Sequence, residues 1–190
     1  MLEQLNQWDT QLFLLINKEG GNAFFDVVMP QLREKWVWAP LYLLLLIYFY
    51  RTYKLKNTLF ILLFTGIIVF AADTLLAETA KNTFKRPRPC HEVTLADKAV
   101  ERVGCGGQYG FFSAHAANHF ALALFFSLLL KKRFRWATFA LVFWAALVSY
   151  AQIYVGKHYP GDILAGAFFG SLLGYGMGKL LLAKVKGFEQ

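Results

Sequence analysis

The chain has 190 residues, of which 57% are hydrophobic, 17% aromatic and 17% charged, and its mean hydropathy is +0.39. Those proportions exclude disorder, collagen and an ordinary water-soluble domain, where apolar residues make up roughly 45–50% and charged ones about 25%. Lysine and arginine total 20 against 12 acidic residues, a formal charge of +8 that on a soluble protein would suggest nucleic acid. The way the cations are distributed points elsewhere.

In chain order, Leu2 to Asn17 sets Leu2, Leu5, Trp8, Leu12 and Leu15/Ile16 at helical spacing between polar residues, and Gly20-Gly21 ends the segment. It is too polar to span a bilayer and suits its interface. A second amphipathic piece, Phe24 to Leu32, leads to the first apolar block. Residues 1–35 therefore read as interfacial helices. They either lie on the membrane surface, with a role in substrate entry, or pack as cover on a bundle.

Apolar blocks follow at Trp36 to Tyr50, Leu59 to Ala72, His119 to Leu130, Trp136 to Ala151 and Ile163 to Leu182. A span needs about 20 mostly apolar residues, so the shorter blocks extend into their flanks. The second continues past Asp73 and Glu78 towards Lys81. Residues 36–190 thus read as an all-α integral membrane helical bundle of about five transmembrane helices. The N-terminus lacks the basic start and apolar core of a cleavable signal.

The clusters Arg51/Lys54/Lys56, Lys131/Lys132/Arg133/Arg135 and Lys179/Lys184/Lys186 hold ten of the 20 basic residues and fall after alternate spans. By the positive-inside rule they are cytoplasmic. That puts the connection 81–112 and the turn around Gly156 to Gly161 on the periplasmic or extracellular side of a bacterial-type inner membrane. Much of the positive charge is then an orientation signal, and nucleic acid is not expected as a partner. The connection holds Cys90 and Cys105. In an oxidising compartment they are expected to bridge, closing a loop of about 15 residues worth roughly 3 kcal/mol; two separate thiols are the alternative.

Three polar clusters converge on that outer face. In Lys81-Asn-Thr-Phe-Lys-Arg-Pro-Arg88-Pro89 a helix runs into four cations and two prolines. Fixed cations at a rigid exit suit a phosphate, and a solvated charged face is the alternative. Phe112-Ser113-Ala114-His115 opens the third span, with Ser113 as N-cap and His115 in a first turn whose amides and dipole attract an anion. In Gly156-Lys157-His158-Tyr159-Pro160-Gly161-Asp162, Pro160 starts the last helix and Asp162 can reach back to His158. A carboxylate on one ring nitrogen leaves the other available as a nucleophile. No metal is expected, because further ligands at a familiar spacing are missing and the neighbours are cations.

Together these clusters resemble the type 2 phosphatidic acid phosphatase superfamily, integral-membrane lipid phosphatases that share an active site with vanadium haloperoxidases. Its first motif, Lys followed after six residues by Arg-Pro, is met by Lys81, Arg88 and Pro89. Its second, Pro-Ser-Gly-His, is matched at Ser113 and His115, with Phe112 and Ala114 in the other places. Its third, Ser-Arg, five residues, His, three residues and Asp, is met at His158 and Asp162, while Ala151 and Gln152 take the Ser-Arg places. The resemblance implies a double displacement without metal or other cofactor. His158 attacks phosphorus, Asp162 orients it, and His115 protonates the leaving lipid oxygen and then assists water. Lys81, Arg88, Gln152 and the backbone at Ser113-Ala114 would hold the phosphoryl oxygens. Gln152 departs from a family arginine and brings no charge: either Lys85, Arg86 or Lys157 compensates, or the enzyme is weak or prefers a different phosphate group such as a diphosphate.

The implied partners are a lipid phosphate and the bilayer. Undecaprenyl diphosphate, phosphatidylglycerophosphate, phosphatidic acid and the 1-phosphate of lipid A all suit the site. The alternative is a non-catalytic protein of the same fold that binds or transports a phospholipid; a haloperoxidase does not fit five spans. Asp73, at the edge of an apolar block, is expected to hydrogen-bond between helices. Gly166, Gly170, Gly174 and Gly178 form a smooth face expected to pack inside the bundle, with a homodimer through it as the alternative.

Overall fold

The computed structural model describes residues 2–130 and 133–188, and helix is the only regular structure among them apart from one isolated bridge, Pro87 to Tyr109. Lys131 and Lys132 of the second cation cluster lie outside the described residues. The helices are α1 (Leu2–Leu14), α2 (Ala23–Leu32), α3 (Ala39–Phe70), α4 (Thr79–Phe84), α5 (Ala114–Leu130), α6 (Ala137–Tyr154) and α7 (Pro160–Lys184). A π-helical turn, Leu15–Glu19, extends α1, and another, Ala71–Glu78, joins α3 to α4.

Among the described residues, three helical runs are long and apolar enough to cross a membrane: Lys35–Phe84, Ala137–Tyr154 and Pro160–Lys184. At about 1.5 Å per residue the 50-residue first run is roughly 75 Å long, more than twice the ~30 Å hydrocarbon core, so it holds two crossings. The break falls at Lys54, whose φ of 63° and ψ of 174° interrupt α3 inside the Arg51/Lys54/Lys56 cluster. The 17 residues of α5 add the remaining crossing, shorter than the others and more deeply buried along its length. The membrane-embedded bundle and its approximate five spans accord with the hydropathy reading.

The glycine face expected to pack inward does so. At Gly166, Gly170, Gly174 and Gly178 of α7, an added Cβ would come closer than 3.0 Å to an atom of α5 or of Ser113 just before it. The stripe is therefore filled by α5. Asp73 is a correction of another kind. It is exposed on the Ala71–Glu78 turn, while Ala72 and Ala77 point inward, because the register of the widened turn carries it to the outside.

One side of the first 35 residues packs as cover on the bundle, and the other is left exposed. The apolar stripe Leu5, Trp8, Leu12 and Leu15 stays exposed, a surface suited to lipid. The opposite side faces the bundle: Phe13 packs edge-on against Tyr159, and the fully buried Asn17 ties the chain down. Its side-chain amide donates to the Val100 and Tyr154 carbonyls, both at 2.8 Å, and its oxygen accepts from the Val100 amide at 2.7 Å. Arg102 stacks on the Tyr154 ring, 4.1 Å from its centroid, and pairs with Asp26 of α2.

These contacts order the long 81–112 connection, which Cys90 and Cys105 close with the expected disulfide. The Arg88 amide donates to the Gln108 carbonyl at 3.0 Å and the Gly110 amide to the Arg86 carbonyl at 2.9 Å. Replacing both cysteines by serine should lower stability by about 3 kcal/mol, on loop-closure grounds. Thermal unfolding of the purified protein measures it, and an unchanged midpoint would show that the network around Asn17 and Arg102 holds the loop alone.

Candidate active site

His158 sits in the short connection between α6 and α7 and is almost wholly buried, at 2% exposure. Pro160 begins α7, which places Asp162 at its third position, fully buried. One Asp162 oxygen accepts from the Tyr159 amide at 3.1 Å and lies 3.4 Å from His158 Nδ1. Across the ring, Arg88 Nη1 is 3.1 Å from His158 Nε2, and it also donates to the Lys157 carbonyl at 3.4 Å. An arginine only donates, so Nε2 is the accepting nitrogen and the ring proton sits on Nδ1, towards the carboxylate. That is the tautomer a nucleophile at Nε2 requires.

Burial holds the His158 pKa below the ordinary imidazole value; the Asp162 carboxylate opposes this, and the charges of Arg88 and Lys81 reinforce it. The ring is then still neutral as the pH falls through about 6.5, where a free imidazole protonates. If His158 is the nucleophile, the acid limb of kcat/KM belongs below that value. A pH profile checks this, and a limb above 6.5 would assign the nucleophile elsewhere.

Ser113 caps α5, its hydroxyl accepting from the Ala116 amide at 3.3 Å. Its own amide is not open to a phosphate: it donates to the Asp162 carbonyl at 3.1 Å and so pins the start of α5 to the start of α7. Of the expected Ser113-Ala114 backbone ligands, this leaves the Ala114 amide, joined by that of His115, in a first turn that has no carbonyl of its own helix to bond. His115 stands in that turn with its ring stacked on His119, centroids 6.3 Å apart, within electrostatic reach of His158 and Lys157. Lys81 reaches Glu78 at 3.4 Å across the surface. Gln152 is fully buried in the last turn of α6, and neither its amide nitrogen nor its oxygen has a partner among the described residues.

Arg86, one of the cations expected to compensate for Gln152, is engaged by carboxylates. Its guanidinium bridges two carboxylates, Asp162 at 2.8 Å and Asp9 of α1 at 2.7 Å, reaches Asn6 at 3.1 Å and lies 4.0 Å over the Tyr159 ring. Burial disfavours its charge, but Asp162 and Asp9 outweigh that and raise its pKa. Asp9 also accepts from the Gly161 amide at 2.7 Å. Helix α1 thus braces the carboxylate beside His158, a connection that spans 77 residues between Asp9 and Arg86 and leaves no local signature. Gly110 is a second residue outside the expected set. A Cβ there would meet an Asp162 carboxylate oxygen at 3.1 Å and the Arg88 Cγ at 3.2 Å, closer than ordinary contact, so a side chain at this position would press on both. A groove of about 580 Å³ opens next to Arg86, walled by Leu5, Trp8, Leu12, Phe84, Phe111 and Leu164.

The arrangement has close counterparts. The chain is 36% identical over 182 residues to a lipid A 4'-phosphatase of Bacteroides thetaiotaomicron, covering 92% of this chain and 77% of the relative. It is 31% identical over 179 residues to an undecaprenyl-diphosphatase of Sulfolobus acidocaldarius, covering 91% and 78%. Among solved structures it superposes on Aquifex aeolicus LpxE with a TM-score of 0.67 at 25% identity, covering 90% of this chain and 94% of that one. It shares the fold of a transmembrane PAP2-type phosphatidylglycerolphosphate phosphatase from Bacillus subtilis, with a TM-score of 0.71 at 21% identity and coverage of 99% and 89%. The family model of the PAP2 superfamily matches residues 54–185. That stretch runs from the break in α3 past the end of α7 and contains Lys81, Arg88, His115, His158 and Asp162 alike: the chain belongs to the PAP2 superfamily.

Proposed function

We propose that the protein is a membrane lipid phosphatase, hydrolysing a lipid phosphomonoester or diphosphate through a phosphohistidine on His158 and without metal. The observation that carries this reading is the buried His158, held between the Asp162 carboxylate on Nδ1 and the Arg88 guanidinium on Nε2. A phosphoryl group that draws the Arg88 guanidinium from Nε2 onto its own oxygens frees the nitrogen lone pair for attack, and Lys81 and the first-turn amides of α5 gather the remaining oxygens, so that positioning and charge carry the catalysis. Nε2 attacks, the P–O bond to the lipid breaks, and the leaving oxygen takes a proton from His115. Water deprotonated by His115 then displaces His158 and releases inorganic phosphate.

The lipid character is supported by the exposed apolar stripe of α1 and by the apolar groove beside Arg86, which suits an acyl or prenyl chain. The charge clusters favour a site on the periplasmic or extracellular side. The names of the most similar relatives reported favour lipid A phosphates and polyprenyl diphosphates. Phosphate release from a panel of lipid A, undecaprenyl diphosphate, phosphatidylglycerophosphate and phosphatidic acid, each with purified protein, tests the reading. Release from at least one is expected. Binding without release from any would favour a non-catalytic phospholipid binder.

A further inference from the structure

We propose that Arg33, at the end of α2, supplies the cation that Gln152 lacks and is a ligand of the bound phosphate. The inference rests on the phosphatase reading and adds to it a residue from outside the three motifs.

Gln152 creates a deficit. It is fully buried, both amide atoms are without partners among the described residues, and it carries no charge where the phosphoryl oxygens would lie. Arg86, which could have compensated, is spent on Asp9 and Asp162. Arg33 is not spent. Its side chain is only 12% exposed, its Nε is buried without a partner, and its ion pair is a 3.5 Å contact with Glu34, itself half exposed.

The fold brings Arg33 to the site. Met29 of α2 packs with Ala151, Tyr154 and Val155, the residues around Gln152, with Leu32 against the same cluster. Trp38 donates to the Leu32 carbonyl at 2.7 Å and stacks edge-on against Trp144, whose ring lies 4.9 Å from His119, one turn beyond His115. The end of α2 is thereby clamped over the end of α6 and beside α5. The electrostatics agree: burial is the largest influence lowering both Arg88 and Lys157, and the Arg33 charge lowers each further. Arg33, Arg88 and Lys157, three cations from three separate elements, thus lie within electrostatic reach of one another. Such proximity of like charges costs free energy until a multivalent anion enters. Arginine remains charged there and offers a planar fork to phosphate.

The test compares Arg33→Gln, Arg33→Lys and the double variant Arg33→Gln/Gln152→Arg in detergent or proteoliposomes. Removing a charged ligand should lower kcat/KM on the lipid phosphate about 10- to 100-fold, mostly in KM. Lysine should restore part of the loss. The double variant should recover most of it, because the charge returns at position 152; a role in merely holding α2 on α6 would not be rescued. Protection against thermal unfolding by inorganic phosphate should follow the same order. Wild-type kinetics and phosphate protection in Arg33→Gln, or a loss in Arg33→Gln that Gln152→Arg leaves unrepaired, would overturn the assignment while leaving the phosphatase reading intact. A wild-type protein that binds phosphate in an Arg33-dependent way but hydrolyses no lipid would uphold the assignment and fail the phosphatase reading instead.

Discussion

Alanine in place of His158 should cut kcat by a factor on the order of 10⁵ while the protein still folds and binds lipid, since removing a nucleophile leaves only the contribution of positioning and charge. The ring makes two polar contacts, to Asp162 and Arg88, and both partners keep other bonds without it: Asp162 to Arg86 and the Tyr159 amide, Arg88 to the Lys157 carbonyl. The scaffold is therefore expected to survive the substitution. Phosphate release per enzyme, with the melting temperature measured alongside, separates lost chemistry from lost fold. Activity within tenfold of wild type would mean that another group attacks phosphorus.

The second large effect lies far from the chemistry. Leucine at Gly174 should prevent stable folding, because a Cβ there would run into the backbone of Ala121, and backbone cannot rotate away as a side chain can. Overpacking by side chains alone costs about 1–3 kcal/mol, and the close approach of two helices raises that cost. The same helix supplies a control in Gly176, exposed and with nothing within 4 Å of an added Cβ. Gly176→Leu should melt like wild type and Gly174→Leu should be recovered poorly folded and inactive. Equal melting temperatures would contradict the tight α5–α7 seam. That seam matters for function because α5 carries Ser113 and His115, α7 carries Asp162, and the Ser113 amide is bonded to the Asp162 carbonyl.

Some of this architecture is written locally and some is not. Spans and their alternating cation clusters are composition within a window, and the hydropathy reading finds them. The pairs His158/Asp162 and Ser113/Ala116 are one helical turn apart, so spacing alone brings them together. The same holds for the glycine repeat, where a four-residue period marks one face of a helix. What spacing cannot express is which of several equivalent cations finds which partner. Arg86 and Arg88 are two residues apart and look alike in the sequence, yet one braces Asp162 through Asp9 while the other faces the histidine. The choice is made by α1, whose polar side meets Arg86 across 77 residues. Arg33 is hidden for the same reason: its importance comes from the packing of α2 over α6. The exposure of Asp73 depends on a π-helical register that hydropathy does not report.

Trapping the covalent intermediate tests the central claim most directly. Purified protein mixed with its lipid phosphate, quenched in base within milliseconds to seconds and digested, should yield a phosphorylated peptide carrying the phosphoryl group on His158, at a level that rises when His115 is replaced and hydrolysis slows. Turnover that continues with no phosphohistidine on His158 at any time, or with the phosphoryl group on a different residue, would contradict the account.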